Sequence, residues 1–278
     1  MPTDAHYAFD NRADEAVDQL QVLESALDPV TAAHLERLKV PAGARCWEVG
    51  AGAGSVARML AALAGPGGSV TATDLDPTRL TGSAGATGPA GSAGSTGPAA
   101  EVLVRRHDVR HEPPPGGPFD LIHARLLLLH LPERRDVLAT LAGALRPGGV
   151  LLVEEFDRSP LSVLSPVDPA ERELFTRVVD TVLAVLGDRG ADLDWGRQVH
   201  GAMTGLGLTE VHTAVHAESW THDGGARLHD INSRQLQEPL LAAGLLPEEL
   251  ERFRALVRRP GFEALSYTLV STSARRPE

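Results

Sequence analysis

Glycine and acidic residues near the start of the chain have a spacing that suits ligand binding. Glu48 precedes a segment in which Gly50, Gly52 and Gly54 alternate with small residues, and Asp74 follows about twenty residues later. Glycine lets the backbone approach a ligand closely, and the N–H groups at the start of a helix attract negative groups. A carboxylate at the end of the next strand can accept hydrogen bonds from two ribose hydroxyls. The pattern therefore predicts a site for a cofactor that contains adenosine.

The elements that must position these residues follow from the hydrophobic pattern. A short apolar strand precedes the glycines, a helix follows them, and a second strand ends near Asp74. Strands that alternate with helices at this spacing are typical of βαβ units with a largely parallel sheet. The first helix is expected to break at Asp28-Pro29. Strands are predicted at residues 45–49, 69–75, 101–106, 119–123 and 150–154, and helices at 14–38, 55–64 and 132–145.

Beyond the fifth predicted strand the pattern changes to longer helices. Asp168-Pro169 opens an amphipathic helix, because proline is favoured in the first turn. The predicted elements of this part are helices at 169–186, 226–243 and 247–258, and strands at 208–220 and 263–271.

Residues 78–100 contain a segment in which glycine recurs at every third position from Gly82 to Gly97. This period is that of collagen, but the triplets are few and proline is sparse. Such a segment cannot bury enough apolar area to offset its chain entropy. We therefore interpret it as a flexible surface insertion.

Several short motifs, in the same order along the chain, carry a resemblance to a known family. The sequence resembles the class I S-adenosylmethionine (SAM)-dependent methyltransferases, particularly the small-molecule branch similar to the ubiquinone and menaquinone-type enzymes. The resemblance covers about residues 40–157, and the insertion falls where a loop can absorb it. The matching stretches are Glu48–Gly54, Asp74–Pro77, His107–Val109, Phe119–Arg125, His130-Leu131 and Arg146–Gly149.

The resemblance implies that SAM is the cofactor and gives roles to the matching residues. Asp74 would hold the ribose, Leu75 would pack on the adenine, and Asp108 would meet the adenine amino group. Arg125 would pair with the methionine carboxylate of SAM, or else be an exposed arginine at a helix start. Tyr7 would close over the cofactor or pack locally. The complete predicted cofactor set is Tyr7, Glu48, Gly50, Gly52, Gly54, Asp74, Leu75, Asp108, Val109, Ala124 and Arg125.

Methyl transfer from a sulfonium donor needs alignment and exclusion of water more than acid or base chemistry. A general base helps only where the acceptor has a proton to lose. His123 and Glu155 are the predicted catalytic residues, from candidates that include Glu154 and Asp157 at the ends of strands four and five. His130 fits the family pattern but is equally well read as structural. The acceptor and the methylated atom do not follow from these residues.

Two alternative functions stay open at this stage. Residues 52–57 also satisfy the dinucleotide pattern G-x-G-x-x-A, which suits an NAD(P)-dependent oxidoreductase. That function needs a catalytic tyrosine–lysine pair or an equivalent, and Lys39 is the sole lysine. The other alternative is a SAM-binding protein without methyl transfer, such as a cyclase or a regulatory partner, whose cofactor site would look the same.

The expected fold is α/β, with a Rossmann-like, seven-stranded, mainly parallel sheet, helices on both faces and added helical covers. The resemblance implies that the last strand is antiparallel. The predicted division is an N-terminal helical cover at 1–40, a SAM-binding core at 41–157, a helical cap at 158–205, and the C-terminal part of the core at 206–278.

Composition and charge restrict the partners and the location. A formal net charge of −11 repels phosphate backbones and argues against nucleic acid. No apolar run is long enough for a membrane span, residues 1–11 lack the features of a secretory signal, and Cys46 is the sole cysteine. His212 and His216 lie on a predicted strand, so no metal site is expected. We therefore expect a cytoplasmic protein that acts on a small organic molecule, with a homodimer as one assembly that the sequence allows.

Overall fold

A seven-stranded sheet forms the centre of the molecule. The computed structural model describes residues 14–83, 99–159 and 161–278. The strands of this sheet are β1 (Arg45–Val49), β2 (Ser69–Asp74), β3 (Glu101–Arg106), β4 (Phe119–Arg125), β5 (Leu145–Asp157), β6 (Thr209–His216) and β9 (Thr268–Arg275). Two short strands, β7 (Ser219–Thr221) and β8 (Glu263–Leu265), form a separate pair. The order in the large sheet is β3-β2-β1-β4-β5-β9-β6.

The sheet is parallel from β3 to β5, whereas β9 runs antiparallel to both of its neighbours. The predicted seven-stranded, mainly parallel sheet with an antiparallel last strand is therefore confirmed. The order reverses its direction between β1 and β4, which both lie at the middle of the sheet. In open α/β sheets, ligands bind beyond the carboxyl ends of the strands at such a reversal.

Helices cover both faces of this sheet, and others pack together outside it. They are α1 (Asp14–Leu38), α2 (Ser55–Ala64), α3 (Thr78–Ser83), α4 (Arg134–Ala144), α5 (Pro169–Asp188), α6 (Trp195–Gly205), α7 (Arg227–Gln235), α8 (Gln237–Ala242) and α9 (Pro247–Val257), with a 3₁₀ turn at Leu128–His130. The strand β1 shows how the faces divide, because successive side chains point to opposite sides. Trp47 and Val49 pack with α4 and α6, whereas Cys46 packs with α2.

A second hydrophobic cluster lies outside the sheet and forms what we call the cap, made of α5, α7, α8, α9 and the β7–β8 pair. The helix α5 begins where predicted, since the Asp168 side chain accepts hydrogen bonds from Ala170 N and Glu171 N. The helix α6 packs on the sheet instead, through Trp195 and Val199. The cap therefore contains one helix that precedes α6 in the sequence and three helices that follow it.

The predicted break of the first helix at Asp28-Pro29 was wrong, because α1 continues through Pro29 to Leu38. A proline inside a helix removes one hydrogen bond and strains the preceding turn. The contacts that α1 makes through Asp28 with Arg125 and Ser55 hold this part of the helix in place. Tertiary contacts therefore override the local signal.

The predicted strands at 208–220 and 263–271 were each wrong in extent, because each is divided in two. The chain leaves the large sheet after β6 to form β7, and it returns to that sheet between β8 and β9. The strands β7 and β8 pair with each other in the cap. Ser266 N donates to Glu218 O at 2.8 Å, which joins the two segments where the chain passes between the sheets. The residues between the strands are Ala217-Glu218 and Ser266-Tyr267, and neither pair contains the glycine or proline that would mark a change of sheet in the sequence.

Tyr7 and the glycine-triplet positions from Gly85 to Gly97 lie outside the described residues. Among the described helices, none has the length and apolar character needed to cross a bilayer.

Candidate functional site

The glycine loop lies between β1 and α2, at the carboxyl end of the sheet. Gly50 N and Ala51 N both donate to the carbonyl oxygen of Thr73 at 2.9 Å, which ties the loop to the neighbouring strand β2. Gly50, Gly52 and Gly54 have φ angles of +70°, +54° and +86°, a left-handed conformation that side chains disfavour. The spacing of glycines seen in the sequence is thus required by the turn itself.

Asp74 stabilises the loop from the end of β2. Its Oδ2 accepts a hydrogen bond from Gly52 N and its Oδ1 accepts one from Asp76 N, each at 3.0 Å. Burial raises the pKa of Asp74, an effect that the hydrogen bonds from Asp76 and Gly52 partly offset. A carboxylate oxygen has two lone pairs, so each oxygen keeps acceptor capacity for a hydroxyl. Leu75 follows directly and is 45% exposed, which leaves its side chain open to a ligand.

Asp108 and Val109 follow β3, the neighbour of β2 in the strand order. Arg110 holds the Asp108 carboxylate in a fork, with Nε donating to Oδ1 at 2.9 Å and an Nη2 group donating to Oδ2 at 2.7 Å. These hydrogen bonds lower the pKa of Asp108. Val109 packs against the core shared with α4 and α6. The carboxylate is therefore ionised and fixed in orientation.

A row of buried ionisable side chains crosses the sheet beneath α1. His123 Nδ1 lies 2.7 Å from Glu48 Oε2, and His123 Nε2 lies 3.3 Å from Glu154 Oε2. The three residues stand on β1, β4 and β5, which are adjacent strands, and none is more than 2% exposed. Both ring nitrogens of His123 thus face carboxylates.

The helix α1 completes this row from above. His34 Nδ1 lies 2.8 Å from Glu154 Oε1, and the Thr31 hydroxyl donates to Glu154 Oε2. Ser271 on β9 donates to Glu154 Oε1 at 2.7 Å. Glu154 therefore has partners on both of its oxygens, as a buried charge requires.

The charges in this row perturb one another. Burial acts to lower the pKa of His123, but Glu48 and Glu154 outweigh it and raise the pKa to about 9. Burial opposes the ionisation of Glu154, yet hydrogen bonds from His123 and His34 hold its pKa well below the usual range. Burial raises the pKa of Glu48 in spite of the neighbouring imidazolium. The geometry fits an imidazolium held between two acids.

We expect this imidazolium to make the stability of the fold depend on pH. The pKa of His123 is about 9 in the folded protein, against about 6.5 for an unfolded histidine. Its contribution is therefore complete below pH 6.5 and is lost as the pH rises through about 9. Urea unfolding at pH 6.5, 8 and 9.5 should show falling stability, with a shallower fall in a His123→Leu variant. Parallel curves for the two proteins would contradict the assignment.

Arg125 links β4, α1 and the start of α2. Its guanidinium donates to Asp28 Oδ1 and to the Thr31 hydroxyl, both at 2.9 Å. Ser55, the first residue of α2, donates to the same Asp28 oxygen at 3.0 Å. Ala124, in contrast, is fully buried in the core on the opposite face of the sheet. In this structure the partner of Arg125 is a carboxylate supplied by α1.

Glu155 points to the opposite face from Glu154. Its Oε1 accepts hydrogen bonds from Leu128 N at 2.8 Å and from Leu129 N at 3.4 Å, so it caps the 3₁₀ turn. Burial raises the pKa of Glu155 to about 8 against these hydrogen bonds. Burial, with the nearby charge of Arg134, lowers the pKa of His130 to about 4. The catalytic roles suggested for His123 and Glu155 stay predictions, since both side chains are enclosed and occupied in packing.

The helix α1 contributes more to this site than its sequence indicated. A Cβ added at Gly52 would lie 3.3 Å from the Leu20 side chain, so α1 rests directly on the glycine loop. Asp28 and Thr31 reach the Arg125 guanidinium from the same helix. Asp28 beside a proline is also typical of a helix end, which is why sequence reasoning missed its role.

The comparisons with known proteins agree with this geometry. Residues 47–151 match a family described as a methyltransferase domain. A 27-O-demethylrifamycin SV methyltransferase of Amycolatopsis mediterranei is 29% identical over 265 residues, covering 94% of this chain and 88% of that protein. Residues 47–151 therefore form a methyltransferase domain. The predicted resemblance to SAM-dependent methyltransferases that act on small molecules is therefore confirmed for this domain.

Two further comparisons place this methyltransferase among its relatives. A ubiquinone biosynthesis O-methyltransferase of Xanthomonas axonopodis pv. citri is 29% identical over 147 residues, which cover 52% of this chain and 57% of that protein. The match thus spans little more than half the length of that relative. The YcgJ protein of Bacillus subtilis superposes with a TM-score of 0.57 at 13% identity, covering 88% of this chain and 97% of that one. At this identity the likeness concerns the fold alone.

Proposed function

We propose that this methyltransferase moves the methyl group of SAM to an oxygen atom of a small organic acceptor. The observation that carries the proposal is the glycine loop whose Gly52 N–H is held by the Asp74 carboxylate at the carboxyl end of the sheet. The ubiquinone and rifamycin relatives support oxygen as the target, because the names of both refer to oxygen-linked methyl groups.

The residues around the loop fit SAM in their chemistry. We assign Asp74 to the two ribose hydroxyls, and Leu75 to one face of the adenine. Asp108, held ionised by Arg110, would accept from the adenine amino group. A Cβ at Gly50 would lie 3.1 Å from the Leu127 side chain, so the loop also needs glycine there to pack against that residue. Bound there, SAM would supply an activated methyl group, and the protein would supply alignment and exclusion of water.

The remaining assignments concern the methionine end and the setting of the reaction. The Glu48 carboxylate is enclosed beneath α1, where it pairs with His123, so in this proposal Glu48 supports the strand that carries the loop. Arg125 would meet the methionine carboxylate by exchanging its contact with Asp28. Val109, Ala124 and Tyr7 remain predictions of the resemblance. The cytoplasmic location and the homodimer also stay predictions.

Calorimetry with SAM and with NAD tests the cofactor part of this proposal. We expect SAM to bind with a dissociation constant in roughly the micromolar range and NAD to show no heat of binding. Binding of NAD without binding of SAM would overturn the proposal. Incubation of the protein with SAM and a panel of hydroxylated small molecules should then release S-adenosylhomocysteine. Tight SAM binding with no product from any acceptor would favour a SAM-binding protein without methyl transfer.

A further inference from the structure

A cluster of buried polar side chains lies where the cap meets α1 and the sheet. His229 and Asn232 belong to α7, Gln19 belongs to α1, and Tyr267 lies between β8 and β9. Each is at most 7% exposed. None of the four was singled out by the sequence, and the cofactor site described above uses none of them.

The hydrogen bonds of this cluster form a chain in which each side chain donates to the next. Gln235 Nε2 donates to Gln19 Oε1 at 3.4 Å, and Gln19 Nε2 donates to Asn232 Oδ1 at 2.8 Å. The Asn232 amide nitrogen then remains for its hydrogen bond with the Tyr267 hydroxyl. Tyr267 Oη lies 3.5 Å from His229 Nδ1 and donates to it in this scheme. A neutral imidazole that accepts at Nδ1 carries its hydrogen on Nε2.

The Nε2–H group of His229 has no hydrogen-bond partner among the residues that the structure describes. Burial lowers the pKa of His229 to about 4, so the ring is neutral at physiological pH. A buried donor without a partner destabilises a fold. A residue that carries such a donor in the interior is well suited to hold a ligand oxygen.

Aromatic rings surround this donor. The His229 ring centroid lies 5.2 Å from that of Phe175, 5.3 Å from that of Tyr267 and 6.2 Å from that of Trp220. Phe156 on β5 lies 5.2 Å from Tyr267. Aromatic rings favour offset-stacked and edge-to-face contacts with one another. A flat, aromatic ligand is therefore the kind of molecule that would pack best among these rings.

The cluster adjoins the cofactor site. Gln19 contacts Asn232, while the next residue, Leu20, rests on the glycine loop at Gly52. Phe156 is the residue before the end of β5, at the carboxyl edge where the loop also lies. Two consecutive residues of α1 thus contact the cluster and the cofactor loop.

A cavity of about 270 Å³ adjoins this cluster. It lies between α5 and the chain that follows β5, and Phe175, Val179 and Leu161 line it. The Phe175 ring also contacts the His229 ring. Phe175 therefore stands between the cavity and the His229 ring.

We infer that His229, backed by Tyr267 and Asn232, binds the methyl acceptor, and that the acceptor is a planar aromatic ring with an oxygen substituent. The Nε2–H group donates to that oxygen, and the rings of Phe156, Phe175 and Trp220 enclose the aromatic plane. This inference rests on the proposed function, because it locates the acceptor of that reaction.

Binding of two matched probes, 2-naphthol and naphthalene, tests the inference by equilibrium dialysis. The probes share one ring system and differ by a hydroxyl group. The wild-type protein should bind 2-naphthol about tenfold more tightly, the effect of one well-placed hydrogen bond. A His229→Leu variant should bind both probes equally, and its Tm should lie close to that of the wild type, since the unpaired Nε2–H donor is lost together with the acceptor of the Tyr267 hydroxyl. His212→Leu, on the exposed β6, is the matched control and should behave as the wild type.

Three outcomes would overturn the inference. They are a wild-type protein that binds neither probe, a preference for 2-naphthol that persists in His229→Leu, and a fall in the Tm of that variant by more than about 5 °C, which would assign His229 to the fold. Calorimetry with SAM on the same samples separates this result from the proposed function. A protein that discriminates between the probes but does not bind SAM would keep the aromatic site and contradict the methyl-transfer proposal.

Discussion

An Asp74→Ala variant should lose at least about a hundredfold in affinity for SAM. Two hydrogen bonds from ribose hydroxyls to a carboxylate contribute roughly 1.5–3 kcal/mol each, and each 1.4 kcal/mol is a factor of ten. The substitution also removes the acceptors for Gly52 N and Asp76 N, so the glycine loop loses its attachment to the end of β2. Calorimetric titration with SAM measures the effect directly.

Two variants make this result specific. Asp74→Asn keeps one side-chain acceptor oxygen and should give an intermediate loss of affinity. Asp223→Ala removes an exposed acid far along the chain and should leave SAM affinity unchanged, which controls for net charge. Unaltered binding by Asp74→Ala, in a variant that unfolds at the wild-type temperature, would remove the ribose assignment. A loss shared equally by Asp223→Ala would point to general electrostatics instead.

A His123→Leu variant should lower the free energy of unfolding by about 3–5 kcal/mol, the range for breaking a buried ion pair. Glu48 and Glu154 would then face each other across β4 with no imidazolium between them. The measurement is urea unfolding at pH 6.5, where His123 carries its charge in the folded protein. This effect would be large against the 5–15 kcal/mol total of an ordinary domain.

The same variant separates two roles for His123. If the residue stabilises the sheet, the folded fraction of His123→Leu should retain its affinity for SAM, and adding Glu48→Gln should restore part of the stability by removing one unpaired charge. If the residue is a general base, stability should change little while turnover of a hydroxylated acceptor falls by about 10²–10⁴. Wild-type stability in His123→Leu would contradict the buried ion pair. His212→Leu again serves as the control for loss of an imidazole.

The contacts of Arg125 suggest how α1 takes part in ligand binding. Asp28 and a bound methionine carboxylate would compete for the same guanidinium, because both are oxygen acceptors of the same charge. Since α1 also rests on Gly52 through Leu20, arrival of the cofactor and movement of α1 are linked by geometry in this proposal. The aromatic cluster around His229 shares this helix through Gln19. The cofactor and acceptor sites would thus communicate through one element.

The sequence by itself determined the parts of this protein that depend on neighbouring residues. The spacing of Gly50, Gly52 and Gly54 after an apolar strand predicts a tight turn into a helix, because only glycine tolerates the left-handed backbone there. The position of Asp74 at the next strand end follows from the same βαβ logic. Alternation of strands and helices was enough to predict a mainly parallel sheet of seven strands.

Only the tertiary structure decided which distant residues meet. His123 lies 75 positions from Glu48 and 31 from Glu154, and the strand order alone makes them neighbours. The Gln19–Asn232 contact joins residues 213 positions apart. Local propensity carries no information about such pairs. It also predicted a break inside α1, where packing overrides a proline. The glycine loop could therefore be predicted from the sequence, whereas the buried charges and the aromatic cluster beside it depend on how the strands and helices assemble.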